Sequence, residues 1–172
     1  SDAAPGDVGP PAFLPQREDY REYRKSLRAA TREERPRVRQ KWVQAERARI
    51  NALRMWWLHR MYEASRPLEE KMTLFWHGHF ATSTRKVKNS RAAYDLNATF
   101  RALALGNFKE LTTRVGQSQS MLQYLDNNRN VKGKPNENWA RELMELFTLG
   151  VGNYSEEDIK ESARAFTGWS YG

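Results

Sequence analysis

The 172-residue sequence contains no cysteine. That excludes disulfide frameworks, thiolate metal sites and cysteine nucleophiles, and leaves the redox compartment undecided. No apolar run approaches the roughly 18 residues of a membrane-spanning helix, so no transmembrane segment is expected. No signal-peptide pattern is present, and Ser1 rather than methionine opens the chain, as it would if a leader had been removed. Strand-like alternation of useful length is missing, as is any internal repeat. Histidine is scarce, at three residues. What the chain does have is 39 % hydrophobic and 12 % aromatic residues, six of them tryptophan, enough for a packed core beside 29 % charged residues.

The net charge of +8 is confined to one region. Arg17 to Arg60 carries 14 Lys+Arg against 6 Asp+Glu, and elsewhere the signs cancel. Twelve of those fourteen cations are arginine, whose planar fork suits phosphate or carboxylate. A polyanion partner is one reading, with Arg35, Arg37 and Arg39 at its centre. The other is a solvated helix face that meets acidic segments of a larger protein.

The pattern predicts an all-α fold, an irregular multi-helix bundle and a fragment of a larger helical protein. Residues 1–16, rich in proline and glycine, read as a flexible or extended leader. Residues 17–64 form a basic, Arg-rich helical region. Within it a polar helix over 18–30 precedes a capping-box pattern at Thr31 and Glu34. Pro36 then requires the long helix to start near Glu34 or to kink. That helix carries an apolar stripe of Ile50, Leu53, Trp57 and Met61, widened by Trp56. Residues 65–172 form the motif-bearing core, expected to continue beyond Gly172. It reads as helices over 68–83, 91–105, 108–116, 118–125 and 137–149, then a last one capped by Ser155 and Asp158 and running through Phe166.

Four constellations could carry chemistry. His77 and His79 flank Gly78, and neutral imidazoles two apart can share a metal in a looped segment. On a straight helix they diverge by about 200°, which favours one buried and one partly exposed histidine. Asn136, Glu137 and Asn138 lead into Arg141, Glu142 and Glu145. Helical spacing places Asn138, Arg141, Glu142 and Glu145 opposite Trp139, Leu143, Leu146 and Phe147. Carboxylates three apart share an ion or a proton, or are neutralised by a neighbour such as Arg141. An ordinary solvated face with an Arg141–Glu145 pair is the alternative. The loop from Asp126 to Glu137 places Asp126, Asn128, Asn130 and Glu137 at calcium-loop positions. Val131 stands at the required glycine, however, and Lys132 and Lys134 add positive charge, which favours a rigid turn. Phe166-Thr167-Gly168-Trp169 reads as a helix end with an aromatic cap.

These segments together resemble an uncharacterised bacterial family, the domain of unknown function numbered 1800. The resemblance runs through Trp56-Trp57 and Met61, the block from Leu68 to Ser83 that holds His77-Gly78-His79, and Ala104 to Phe108. It continues in Met121-Leu122, Tyr124 to Asn127, Pro135 to Asn138, Ala140 to Gly150 and Ala163 to Trp169. It covers about residues 50–172 and leaves 1–49 unplaced. Leu103 stands where relatives often carry histidine, which puts a site role for that position in doubt.

The resemblance implies a longer, mostly helical protein of the cell envelope, periplasm or exterior. Its partners would be the remainder of the same protein and a co-encoded, sulfatase-like exported protein. No reaction comes with it. The site that the motifs themselves suggest has Glu142 and Glu145 as acid/base groups, Asn136, Asn138, Arg141 and Asp126 as substrate-binding or supporting groups, and His77, His79 and Glu142 as ligands of a divalent metal. A helical scaffold or binding module of the envelope, its polar residues forming an internal network, is the alternative.

Overall fold

The computed structural model describes residues 9–171, and among them every regular element is a helix, with no strand. Residues 1–8, half of the expected leader, lie outside that range. The other half packs: Leu14 is 2 % exposed and joins Leu53 and Tyr94 in a small core.

Helix α1 (Arg17–Ala29) is amphipathic and short, and is held to the long α2 (Arg35–Glu63) by Tyr20 and Tyr23 against Trp42. The expected box forms. Thr31 donates its backbone N–H to Glu34, and Glu34 N–H returns a bond to the Thr31 hydroxyl. Helix α2 therefore starts after the box, with Pro36 in its first turn, where no N–H is missed. Ile50 and Leu53 on its stripe are buried, whereas Trp56, Trp57 and Met61 are half-buried.

Pro67 opens α3 (Pro67–His79). The stretch expected as a polar link contains a single turn, α4 (Thr84–Val87), capped by Ser83. Asn89 caps α5 (Ser90–Ala102), Asn107 caps α6 (Phe108–Gln117) and Ser118 caps α7 (Gln119–Tyr124), each side chain accepting a free first-turn N–H.

The main core lies between these helices: Phe80, Leu96, Phe100, Leu111, Val115, Met121, Leu125, Trp139 and Phe147. Trp139 approaches α6 closely because residue 116 is glycine. A Cβ there would stand 2.5 Å from the indole Cζ2. The loop before Trp139 is the rigid turn. Buried Asn130 bonds Ala163 O at 2.8 Å and accepts from Asn136 N, and its carbonyl accepts Gly168 N–H.

The last motif-bearing helix departs from expectation. It starts as α8 (Asn138–Glu142), then widens to a π-helix over Leu143–Thr148, where the Thr148 hydroxyl donates to Leu143 O and Leu149 N–H to Met144 O. Leu146, expected inside, is 61 % exposed. Helix α9 (Glu156–Ala165), boxed by Ser155 and Asp158, buries Ile159 and Ala163 against Ala140.

Candidate functional site

The expected polar face of the α8 segment does not hold together as one group. Arg141 turns towards α9, where its Nη1 and Nη2 donate to the two carboxylate oxygens of Glu156 at 2.9 and 2.8 Å. It also reaches back one turn to Glu137 at 3.3 Å. The expected Arg141–Glu145 pair is absent among the described residues, because the chain is π-helical by residue 145 and the i,i+4 register is lost. Glu145 instead accepts from the Tyr154 hydroxyl at 2.8 Å. Asn138 is exposed at the start of α8, and its N–H donates to Asn136 Oδ1. Both asparagines thus shape the helix entry. Asp126 is distant from them in role: at φ +57 it ends α7 and holds Lys86 at 2.7 Å.

Glu142 is different. It is half-buried and has no hydrogen-bond or ion-pair partner among the described residues. Burial pushes its carboxyl above the ordinary glutamate value, and the neighbouring Glu145 charge adds to the rise. An unneutralised carboxylate beside a second one, at the entry to a π-segment, is an arrangement often found at functional sites. An open groove of ≈ 480 Å³ lies between the π-segment and α9, lined by Met144, Leu149, Tyr154 and Asp158 but by neither Glu142 nor Glu145.

The histidines occupy separate surroundings. His77 packs on Trp57 and Phe100 at ring distances of 5.1 and 6.1 Å, and burial lowers its pKa, so it is neutral at pH 7. His79 is ringed by Phe75, Trp76, Phe80, Phe108 and Phe147, and its Nε2 lies 3.0 Å from Phe147 O. Among the described residues no group of three or more His, Asp or Glu side chains could hold a metal ion. The set expected as metal ligands, His77, His79 and Glu142, therefore does not fit such an ion. Facing opposite ways from one helix, the two imidazoles serve aromatic packing.

The most connected polar group escaped the motif reading. Glu70, 4 % exposed, sits where α2, α3 and α5 meet. Its Oε1 accepts from Arg60 Nε at 2.7 Å and Arg101 Nε at 2.5 Å, and its Oε2 from Arg101 Nη2 at 3.0 Å and Trp57 Nε1 at 3.1 Å. Burial works to raise its pKa, but the hydrogen bonds from Arg101 and Arg60 and the Arg101 charge outweigh it, and the value is lowered. Arg101 also donates to Asn97. Buried Glu46 similarly accepts Ser90 N–H at 2.7 Å and Arg49 at 3.0 Å, fastening α5 to α2. The signal available for Glu70 was a glutamate one turn before Thr73 and two turns before His77, on the side of α3 that proves to be buried.

The family model described as "Protein of unknown function (DUF1800)" matches residues 5–172. The chain belongs to the DUF1800 family. The match reaches well before residue 50, so the basic helices α1 and α2 belong to the family's domain rather than to an unrelated extension. Glu46 and Glu70 give the physical counterpart, since both tie α2 to the motif-bearing helices. No curated protein and no solved structure matches the chain.

Proposed function

We propose that this DUF1800 chain is a helical domain of a bacterial envelope protein whose working edge is Glu142, Glu145 and Tyr154. The edge would exchange protons with a substrate lying over the π-segment. The observation that carries this reading is Glu142, a half-buried carboxylate left without a partner beside a second carboxylate. Every other carboxylate of this region is committed: Glu137 and Glu156 to Arg141, Asp158 to the α9 cap, Glu161 to Arg164.

The chemistry follows from the asymmetry. Glu145 accepts a hydrogen bond from the Tyr154 phenol. Glu142, raised by burial and by the Glu145 charge, releases its proton less readily than an ordinary glutamate and is the group placed to carry one. A carboxyl that holds its proton more firmly than usual, beside a second carboxylate, is a setting that general acid–base work uses. The envelope setting rests on the family resemblance. The donor set supports proton transfer rather than a protein-held metal, since two carboxylates and a phenol fall short of a ligand shell and the histidines lie elsewhere.

The test is genetic and structural together. In the native host, Glu142→Gln should reproduce the phenotype of deleting the gene at unchanged protein level, while Glu110→Gln on exposed α6 should not. Full complementation by Glu142→Gln would refute the assignment.

A further inference from the structure

The Glu70 network carries more positive charge than it neutralises. Two guanidiniums, Arg60 and Arg101, bond one carboxylate, and both Nε atoms share its Oε1, so the two cations are neighbours. Their side chains are only 14 % and 11 % exposed. The Trp56 ring lies against both, at 5.8 and 5.7 Å, and against Tyr94 at 5.6 Å. Asp95, the other carboxylate whose field reaches Tyr94 along with these arginines, is already held by Arg91 at 2.9 Å. One unit of positive charge is therefore left in a mostly desolvated place.

The donors are left over as well. Glu70 takes four of them and is saturated. Arg60 uses Nε alone, so its two terminal nitrogens have no partner among the described residues, and neither does Arg101 Nη1. None of these three nitrogens is among the buried atoms left without a partner in the described residues. Asn97 adds a further observation. It is 5 % exposed, its Oδ1 is fixed by Arg101, and its Nδ2 is buried without an acceptor. The surplus guanidinium donors fit an acceptor with negative charge, while the enclosed Asn97 Nδ2 marks how donor-rich this junction is.

The geometry points to a binding site for a singly charged carboxylate at Arg60 and Arg101, over the Trp56 ring. One negative charge balances the cluster, and a planar carboxylate matches the guanidinium fork with two parallel bonds. The indole supplies an apolar wall for the carbon attached to that group. This site lies on α2 and α5, involves no residue of the Glu142 edge, and stands or falls independently of it.

Acetate is the probe, titrated into ¹⁵N-labelled protein against chloride and sulfate at equal ionic strength. The side-chain Nε–H signals of Arg60 and Arg101 should shift saturably with acetate, and the Trp56 indole N–H signal with them. Arg24 and Arg28 on α1 should follow ionic strength alone. Arg60→Gln leaves Glu70 with Arg101 and Trp57, and should weaken acetate binding at least tenfold. Shifts at Arg60 and Arg101 no larger than those of the α1 arginines would overturn the site, as would equal acetate affinity in Arg60→Gln. A stronger response to sulfate than to acetate would overturn the carboxylate assignment. The wild-type shifts decide the matter even if the variant does not fold.

Discussion

Arg101 holds Glu70 with two nitrogens across 31 residues of sequence, Nε on one carboxylate oxygen and Nη2 on the other. A bidentate fork of this kind is directional, so it fixes the rotation of α5 about its axis relative to α3. Arg60 brings α2 to the same carboxylate. One side chain thus sets the mutual positions of three helices.

Glu70→Ala should be the most damaging single change in the N-terminal half. It leaves two guanidiniums and an indole N–H without their acceptor, and breaking a buried ion pair from one side costs about 3–5 kcal/mol. Urea denaturation should show a midpoint lowered accordingly at unchanged m-value. Glu70→Ala within about 0.5 kcal/mol of the wild type would show the network to be incidental to stability.

The sequence made the helices plain and the junctions opaque. Both capping boxes, at Thr31–Glu34 and Ser155–Asp158, are local chemistry and form as their spacing indicates. Proline at positions 36 and 67 marks two helix starts for equally local reasons. Glu70 gave no such sign, since its partners at 57, 60 and 101 come from other helices and only the fold brings them together. The π-segment was hidden for a different reason. Nothing in Leu143–Thr148 distinguishes an i+5 from an i+4 ladder by composition, so straight-helix geometry put Glu145 beside Arg141. Of the expected site, the Glu142–Glu145 pair survives as neighbours, while the histidines and Asp126 fall elsewhere.

Gly116→Ala tests the closest contact of the core. The added methyl carbon would meet Trp139 Cζ2 at 2.5 Å, and Trp139 is itself 2 % exposed and hemmed by Phe147 and Phe166. Alanine normally favours a helix over glycine by nearly 1 kcal/mol. Overpacking costs about 1–3 kcal/mol and should win. The variant should melt several degrees lower, with the near-ultraviolet tryptophan signal altered. A variant at least as stable as the wild type would mean that the indole shifts freely.

His77 should give the protein an acid-labile step. Burial against Trp57 and Phe100 lowers its folded pKa below the ordinary histidine value of 6.5, so the unfolded chain takes up a proton first. A depressed histidine adds stability above the unfolded value, and that stability is lost as pH falls through the folded one. Stability should therefore decline as pH drops below 6.5. In His77→Phe, which keeps an aromatic ring, that part of the decline should vanish. An unchanged pH profile in His77→Phe would assign the acid sensitivity to other groups.

Glu142→Gln should leave the fold intact and raise its stability near neutral pH. A carboxyl whose folded pKa is raised favours the folded state most below its unfolded value, and the advantage disappears as pH rises through the folded value. The wild type at neutral pH thus holds a charge that burial and Glu145 both disfavour, and an amide removes it. Because Glu142 keeps substantial contact with solvent, the gain should be no more than roughly 1 kcal/mol, or about 2–4 °C in Tm for a domain of this size. The sign is the informative part. A residue that raises stability when neutralised is one held against the preference of the fold, as groups kept for function commonly are. Carboxyl ¹³C titration of the wild type should place Glu142 above the ordinary glutamate value, and Glu145→Gln should bring it down. A stability loss in Glu142→Gln, together with an ordinary Glu142 titration, would reduce the pair to surface charge and remove the basis for proton exchange at this edge.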